Sequence, residues 1–247
     1  MFLREVRFAD WPENGGYPFD MRAFAGLDRI DTSRFLTFFV GENGSGKSTL
    51  LEAIALTAGF NPEGGGMGST FETFSSESVL HDHVRLSWLP RIRSGHFFRA
   101  ESFFNVATYL ESIKHEPGAN FEAFGGRSPH EQSHGESFFN LFRHRLGHHK
   151  KSLYLMDEPE AALSPARQLA LLCLLREHER AGASQFIIAT HSPILLAYPG
   201  AALFNFDASP LCAIEWQETS HYQITRRFLT APEHMFAELF REDDHVE

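Results

Sequence analysis

The chain contains the stretch Gly41-Glu42-Asn43-Gly44-Ser45-Gly46-Lys47-Ser48-Thr49, which follows an apolar run at residues 35–40 and precedes the helix-favouring residues 50–55. A strand, a glycine-rich loop and a helix therefore follow one another. The stretch fits the phosphate-loop pattern G-x-x-x-x-G-K-[ST] at every fixed position, in the strand-to-helix context that the pattern requires. Its glycines let backbone N–H groups point at phosphate oxygens, and the N-terminus of the following helix favours the same anion. We predict a nucleoside triphosphate site here.

The residues of this loop have separate predicted roles. Residues 42–49 would form the nucleotide-binding loop. Within it, Lys47 would reach the β- and γ-phosphates and the Ser48 hydroxyl would bind Mg²⁺. A glycine-rich turn with a chance lysine is the alternative, and the flanking strand and helix argue against it.

Composition indicates an ordinary globular protein. Hydrophobic residues make up 43% of the 247 residues and charged residues 22%, which argues against disorder and against a membrane span. The formal net charge of −10 does not favour a broad nucleic-acid-binding face. The longest apolar run, residues 169–175, is too short to cross a bilayer. We expect a cytoplasmic protein in which Cys173 and Cys212 are buried, reduced thiols.

Hydrophobic patterning predicts strands alternating with helices. Strands are predicted at residues 2–8, 17–24, 35–40, 84–89, 95–99, 153–156 and 186–190, and helices at 48–57, 105–112, 137–143 and 165–181. Residues 64–69 are predicted to be a loop, and residues 81–83 are strand-like. This order predicts an α/β fold of the P-loop NTPase type, with a mainly parallel core sheet flanked by helices and an N-terminal antiparallel β piece. We expect one domain over residues 1–247, with its core at 1–60 and 150–247 and an inserted, partly helical region at 61–149.

A second motif with a chemical role is Leu153-Tyr154-Leu155-Met156-Asp157-Glu158, an apolar strand that ends in two acids. A carboxylate at the tip of a strand can hold Mg²⁺, which suits Asp157. The next carboxylate, Glu158, is placed to orient or deprotonate an attacking water. A surface ion-pair pattern would not need four consecutive apolar neighbours.

With these motifs together, the chain resembles the ATPase domains of the ABC superfamily, and most of all the soluble branch of SMC-like and RecF-like proteins. Two further stretches carry the resemblance. Gln132-Ser133-His134-Gly135-Glu136-Ser137 is similar to the family's signature motif, and Ala189-Thr190-His191-Ser192-Pro193 is similar to its switch-histidine motif.

The resemblance implies an ATP-dependent homodimer whose two subunits face each other head to tail. Each ATP, with its Mg²⁺, would be clamped between the phosphate loop of one subunit and the signature motif of the other. Ser133 and Gly135 of that motif would donate to the γ-phosphate. Glu136 belongs to the same motif. His191 would contact the γ-phosphate and the attacking water, and Glu158 would be the catalytic base, with Lys47 assisting.

The sequence also departs from the family pattern. Glu136 stands where glutamine is more common, and His134 where glycine is usual. The D-loop segment at residues 161–165 lacks the family's aspartate. No Q-loop glutamine follows the strand at residues 95–98, where Glu101 is the first candidate and Arg99 the second for contacting Mg²⁺ and the water. Arg7, Trp11 and Tyr17 are alternative candidates for the residue that contacts the adenine.

Three functional hypotheses remain. The first is an ATP-driven conformational switch that serves a protein or DNA partner in repair or defence. The second is the ATP-binding subunit of a membrane transporter, which the altered Q-loop and signature make less favoured. The third is a nucleotide-binding module that hydrolyses poorly. Residues between Lys47 and Asp157 carry no heptad pattern, so the long coiled-coil arm of SMC-type proteins is not expected there.

Overall fold

The computed structural model describes residues 1–12, 15–62, 64–67, 79–100, 134–146 and 150–240. The strands are β1 (Leu3–Phe8), β2 (Arg29–Asp31), β3 (Leu36–Val40), β4 (Gly65–Gly66), β5 (Val84–Trp88), β6 (Gly95–Arg99), β7 (Ser152–Asp157), β8 (Ser184–Ala189), β9 (Ala202–Asn205) and β10 (Cys212–Ala213). The α-helices are α1 (Lys47–Ala58), α2 (His134–Arg145), α3 (Pro165–Ala181), α4 (Pro193–Leu196), α5 (Ser220–Thr230) and α6 (Pro232–Leu239).

A seven-stranded sheet in the order β10-β9-β3-β8-β7-β6-β4 forms the core. Its five central strands are mutually parallel, and the short strands β4 and β10 pair antiparallel at the two edges. Every residue of β3, β7 and β8 is buried, because helices or a second sheet cover both faces of these strands. The predicted mainly parallel α/β fold is confirmed.

The second sheet has the order β2-β1-β5 and is antiparallel throughout, as predicted for the N-terminal β piece. Helix α1 packs between the two sheets. Its buried residues Leu50 and Ile54 belong to one apolar cluster with Val6 of β1 and Ile187 of β8. The opposite face of the core sheet is covered by α2 and α3, whose residues join a separate apolar cluster.

Gln185 joins the N-terminal segment to the core sheet. Its side chain is fully buried at the start of β8. The Oε1 atom accepts hydrogen bonds from the N–H groups of Phe2 and Leu3, both at 2.8 Å. The Nε2 atom donates to the carbonyls of Leu3 at 2.8 Å and Thr32 at 2.5 Å. One amide therefore satisfies backbone groups at the ends of β1 and β2 that water does not reach.

The strand predicted at residues 17–24 is wrong. The chain there forms a turn and then a 3₁₀ helix, Arg22–Phe24, and the second strand of the antiparallel sheet is β2 instead. The backbone bonds are short-range: Phe19 N–H donates to Gly16 and Met21 N–H to Pro18. Apolar residues in this stretch are buried by successive turns. Their spacing along the sequence therefore resembles the spacing expected for a strand.

Three smaller expectations are also corrected. The predicted loop at 64–69 contains β4, which pairs with β6. The strand-like residues 81–83 lie in a 3₁₀ helix, Val79–His83. Cys173 and Cys212 are exposed free thiols rather than buried ones, since Cys173 lies on the solvent side of α3 and Cys212 on an edge strand.

Several predicted elements agree with the structure. The helix predicted at 165–181 is α3, and the helix predicted at 137–143 lies within α2. The helix predicted at 105–112 falls outside the described residues. Within the described part of the chain, no helix has the length and apolar character needed to cross a membrane.

We predict that Gln185→Leu lowers the free energy of unfolding by at least about 2 kcal/mol, because each buried backbone group left without a partner costs about 1–3 kcal/mol. Urea denaturation followed by circular dichroism measures the change. Gln223→Leu, at an exposed position of α5, is the matched control and should change stability by less than about 0.5 kcal/mol. Equal effects of the two substitutions would contradict the role assigned to Gln185.

Candidate functional site

The register of the core sheet brings the motif residues together. Arg99 at the end of β6 pairs with Asp157 of β7, Asp157 pairs with Ala189 of β8, and Ala189 pairs with Phe39 of β3. Since these strands are parallel, the segments that follow them all leave the sheet at the same end, the carboxyl end of the strands. Polar ligand sites of open α/β sheets lie at this carboxyl edge.

The glycine-rich loop has the backbone conformation that its sequence predicts. Gly44 and Gly46 have φ angles of 77° and 106°, in the left-handed region that residues with a Cβ rarely adopt. Gly46 is also the N-cap of α1. A Cβ at Gly46 would lie 3.1 Å from both Met21 and Phe24, so the loop also packs closely against the N-terminal segment.

Lys47 begins α1 beneath the loop and is only 3% exposed. Its ammonium donates to the carbonyls of Gly41 at 2.7 Å and Glu42 at 2.9 Å. Burial lowers the pKa of Lys47, and surrounding carboxylates, Glu158 foremost, oppose that shift. The ammonium thus holds the loop closed on itself and has a third N–H to offer to a phosphate.

The Ser48 hydroxyl donates to Asp157 Oδ1 at 2.9 Å, which joins the loop to the predicted metal-binding carboxylate. Asp157 is 8% exposed at the tip of β7. The guanidinium of Arg99 lies on its other side, with Nε 3.8 Å from Asp157 Oδ2 and Nη1 3.2 Å from Glu52 Oε2. Arg99, the second Q-loop candidate, is therefore beside the predicted metal site.

Glu158 and His191 meet above the loop. Glu158 Oε1 lies 3.0 Å from His191 Nε2. Glu158 has a φ of 48°, in the left-handed region, so the chain turns sharply after β7. Such backbone strain in a non-glycine residue is typical of functional sites. The two residues predicted to be the base and the switch histidine are in direct contact.

Glu160 is a site residue that the sequence analysis missed. Its Oε1 accepts a hydrogen bond from the backbone N–H of His191 at 2.5 Å, and its Oε2 is buried without a hydrogen-bond partner among the described residues. Burial raises the pKa of Glu160, and the bond from His191 opposes the shift. Its position two residues after Glu158 was the available signal.

Asp207 and His221 were missed as well. Asp207 follows β9 and accepts a hydrogen bond from the Glu42 N–H at 2.7 Å, which supports the start of the loop. His221, in the first turn of α5, places Nε2 3.0 Å from His191 Nδ1 and 3.7 Å from Glu42 Oε1. An apolar strand ending in an acid could have indicated Asp207, whereas nothing local indicates His221.

The structure separates the three residues considered for the adenine. Tyr17 is 69% exposed, lines the open cavity over the loop together with Asn43 and Thr49, and bonds Thr49 Oγ1 at 3.0 Å. Trp11 packs against the apolar core and donates to the carbonyl of Leu27. Arg7 is paired with Glu5 at 2.7 Å. Of the three, Tyr17 is the one that lines the cavity.

The signature motif is only partly described. Helix α2 begins at His134, so Gly135 lies in its first turn, and Ser133 falls outside the described residues. Glu136 is exposed and lies 3.9 Å from Arg167 of α3. Glu101 also falls outside the described residues.

Two family models match the sequence. A model described as "AAA domain" matches residues 20–116, and one described as "AAA domain, putative AbiEii toxin, Type IV TA system" matches residues 124–197. The fold is similar to that of a "putative metal-chelate type ABC transporter" in an inward-facing conformation, with 17% identity over 91% of this chain and 88% of that one, and a TM-score of 0.50. The chain therefore has the fold of an ABC-type ATPase domain, and most of its length matches AAA-domain models. The resemblance to ABC-superfamily ATPases is confirmed at the level of the fold.

Two further solved structures that are similar to this chain have TM-scores below 0.5. The SMC head domain from Thermotoga maritima has 15% identity over 87% of this chain and 99% of that one, with a TM-score of 0.45. CbiO1 from Clostridium perfringens, part of the ABC transporter complex cbiONQ, has 16% identity over 95% and 98%, with a TM-score of 0.47. No curated protein matches the sequence.

We predict that Gly46→Ala weakens nucleotide binding by at least about tenfold. The added Cβ would need a strained left-handed backbone and would press on Met21 and Phe24, so the loop must change shape. Binding of a fluorescent ATP analogue measures the effect. Gly16→Ala is the control, since a Cβ there meets nothing within 4 Å. Wild-type affinity of Gly46→Ala would contradict the loop geometry described here.

Proposed function

We propose that this ATPase domain, as one unit over residues 1–247, binds ATP with Mg²⁺ and hydrolyses it at the interface of a head-to-tail homodimer. It would act as a cytoplasmic, ATP-driven conformational switch. The free thiols of Cys173 and Cys212 support a reducing compartment.

The observation that carries the proposal is the convergence of three chemical functions at the carboxyl end of the core sheet. The loop ammonium of Lys47, the Ser48–Asp157 pair and the Glu158–His191 pair all surround the carboxyl ends of β3, β7 and β8. Phosphoryl transfer needs a phosphate cradle, a metal site and a group that positions the nucleophile, and these residues would supply all three.

The donor set of Ser48 and Asp157 suits Mg²⁺. Both are oxygen donors, they lie 2.9 Å apart, and Mg²⁺ in phosphate sites takes few protein ligands beside waters and phosphates. Four carboxylates, those of Asp157, Glu158, Glu160 and Asp207, also act on the Lys47 ammonium. A triphosphate would be repelled by so much negative charge, and bound Mg²⁺ would offset that repulsion. Glu101 would complete the metal site from the Q-loop segment.

The chain's own residues then divide the remaining work. The amides of the loop and Lys47 would hold the phosphates. Glu158 would orient a water and accept its proton as the water oxygen bonds to the γ-phosphorus, while the bond from that phosphorus to the β–γ bridging oxygen breaks and ADP leaves. His191 would donate from Nε2 to the γ-phosphate, so its bond to Glu158 would be exchanged for one to substrate. Tyr17, beside Thr49, would provide an aromatic surface for the adenine.

The proposed dimer would complete the site from the second subunit. Gly135 lies in the first turn of α2, and a helix N-terminus is suited to an anion. In the head-to-tail arrangement Ser133 and Gly135 would meet the γ-phosphate bound by the partner subunit, with Glu136 beside them. Closure of the dimer would then depend on the presence of the triphosphate.

We predict that Glu158→Gln lowers the turnover number by at least about 100-fold, since a positioned general base contributes about 10²–10⁴-fold. ATP affinity should change by less than about threefold. Phosphate release and analogue binding measure the two quantities. Glu177→Gln, an exposed acid on α3, is the matched control and should retain wild-type turnover.

The same variant tests the dimer. With ATP and Mg²⁺, Glu158→Gln should elute from size-exclusion chromatography at twice the monomer mass, and it should return to monomer when Mg²⁺ is chelated. Elution as a monomer under all conditions would contradict the proposed dimer. Wild-type turnover of Glu158→Gln would contradict the proposed role of Glu158 as the base.

We predict that His191→Ala slows hydrolysis by about 10²–10³-fold, the usual cost of one preorganised donor to a developing negative charge. Binding of ATP should persist, because Lys47 and the loop amides remain. His234→Ala, whose imidazole is 71% exposed on α6, is the control. Unchanged turnover of His191→Ala would place this residue outside the reaction.

We propose that the switch acts on a protein partner in defence or repair. We favour such a partner over DNA itself. The net charge of −10 opposes tight binding to bare DNA, and the description of one matching family model refers to a toxin system. Stimulation of hydrolysis by duplex DNA at physiological salt would reverse this preference. Co-purification with a membrane-embedded subunit would instead indicate a transporter.

A further inference from the structure

A chain of three side chains runs from the site into the C-terminal helices. Glu158 Oε1 lies 3.0 Å from His191 Nε2, and His191 Nδ1 lies 3.0 Å from His221 Nε2. The two imidazole rings are 5.0 Å apart between centroids. His221 is only 13% exposed, although it belongs to a helix without a buried residue. Both nitrogens of His191 are therefore engaged.

The distances restrict where the protons lie. An ionised Glu158 only accepts, so His191 Nε2 must carry a proton to bond it. In neutral His191, Nδ1 then holds a lone pair and requires a donor. His221 Nε2–H is that donor, which leaves the Nδ1 atom of His221 near Ser220 Oγ at 3.5 Å. In the opposite neutral tautomer of His191, the lone pair of Nε2 would face a lone pair of Glu158 Oε1 at 3.0 Å.

The surroundings of His221 favour its neutral form. Burial lowers its pKa and the Lys47 ammonium lowers it further, whereas Glu42 and Asp207 oppose the shift. The ring also lies in the first turn of α5, where the helix dipole disfavours a cation. A neutral imidazole has one N–H, and the 3.0 Å contact directs it at His191 rather than at Glu42, which is 3.7 Å away.

The start of α5 is fixed by local hydrogen bonds. Thr219 Oγ1 accepts from the Tyr222 N–H at 3.4 Å and donates to the carbonyl of Trp216 at 2.7 Å. Trp216 and Tyr222 meet edge to face, with centroids 4.6 Å apart. The main chain that carries His221 is therefore held in place from both sides, which a residue that orients another ring requires.

We propose that His221 is a positioning residue of this ATPase: it donates its Nε2–H to His191 Nδ1 and so fixes the tautomer in which His191 Nε2 carries the proton. The inference rests on the proposed function. With that tautomer fixed, His191 presents a donor to Glu158 before substrate binds and to the γ-phosphate afterwards. Without it, the proton can move to Nδ1, and His191 would present a lone pair to an anion.

Two substitutions of similar size separate positioning from packing. In His221→Gln the side-chain amide reaches the place of Nε2 and can still donate to His191. In His221→Asn the amide reaches only the place of Nδ1, so the donor is lost while a polar residue remains. His234→Asn on α6 is the control for the loss of an exposed histidine.

Long-range nitrogen–proton NMR spectra of histidine-labelled, nucleotide-free protein report the tautomer of His191. We expect the Nε2–H form in wild type and in His221→Gln, and a mixture in His221→Asn. Steady-state kinetics should show a turnover number about 10- to 100-fold lower in His221→Asn, the usual cost of losing an orienting partner, with the KM for ATP within about twofold. His221→Gln should recover most of that turnover.

The outcomes are distinguishable. An unchanged His191 tautomer in His221→Asn overturns the proposal, and so does equal loss of turnover in both variants. If wild type shows the His221-dependent tautomer but hydrolyses no ATP, the positioning contact stands and the proposed function fails. If wild type hydrolyses ATP and His221→Asn matches it in turnover, the proposed function stands and the role of His221 fails.

Discussion

The site depends on the register between β7 and its parallel neighbours. Six successive residue pairs hold β7 against β8, and the last of them sets Asp157 beside Ala189. A slip of one residue would turn every side chain of β7 to the opposite face and would separate Asp157 from Ser48. Complete burial of β3, β7 and β8 opposes such a slip, because their side chains are closely packed against neighbours on both faces of the sheet. The buried core thus fixes the geometry of the candidate site as well as the stability.

Local patterns predicted the parts of the site that lie in one continuous stretch. The phosphate loop needs glycine at positions with positive φ, and only glycine tolerates them at low cost, so the requirement is visible in the sequence. The strand ending in Asp157 and Glu158 was equally visible. Their meeting with His191 followed from the family resemblance, and the structure explains it by the strand order.

The partners that hold these groups were harder to find in the sequence. Glu160 and Asp207 carry only a weak local signal, an acid close behind an apolar strand. His221 acts through contacts that only the tertiary fold makes, so no spacing rule distinguishes it from a solvated residue. The strand predicted at residues 17–24 was wrong for a related reason. Burial by successive turns and burial by a strand can give the same short apolar pattern, and only the packing of Phe24 against the core decides between them.

The segment after β7 controls His191 from two directions. The Glu158 side chain contacts the His191 ring, and the Glu160 side chain binds its backbone N–H. A displacement of this segment must therefore move the histidine with it, or break two hydrogen bonds. In the proposed dimer this segment corresponds to the D-loop, whose usual aspartate is absent. Glu160 supplies a carboxylate in the same segment and ties it directly to His191, so coupling between the subunits of the proposed dimer would not require the missing aspartate.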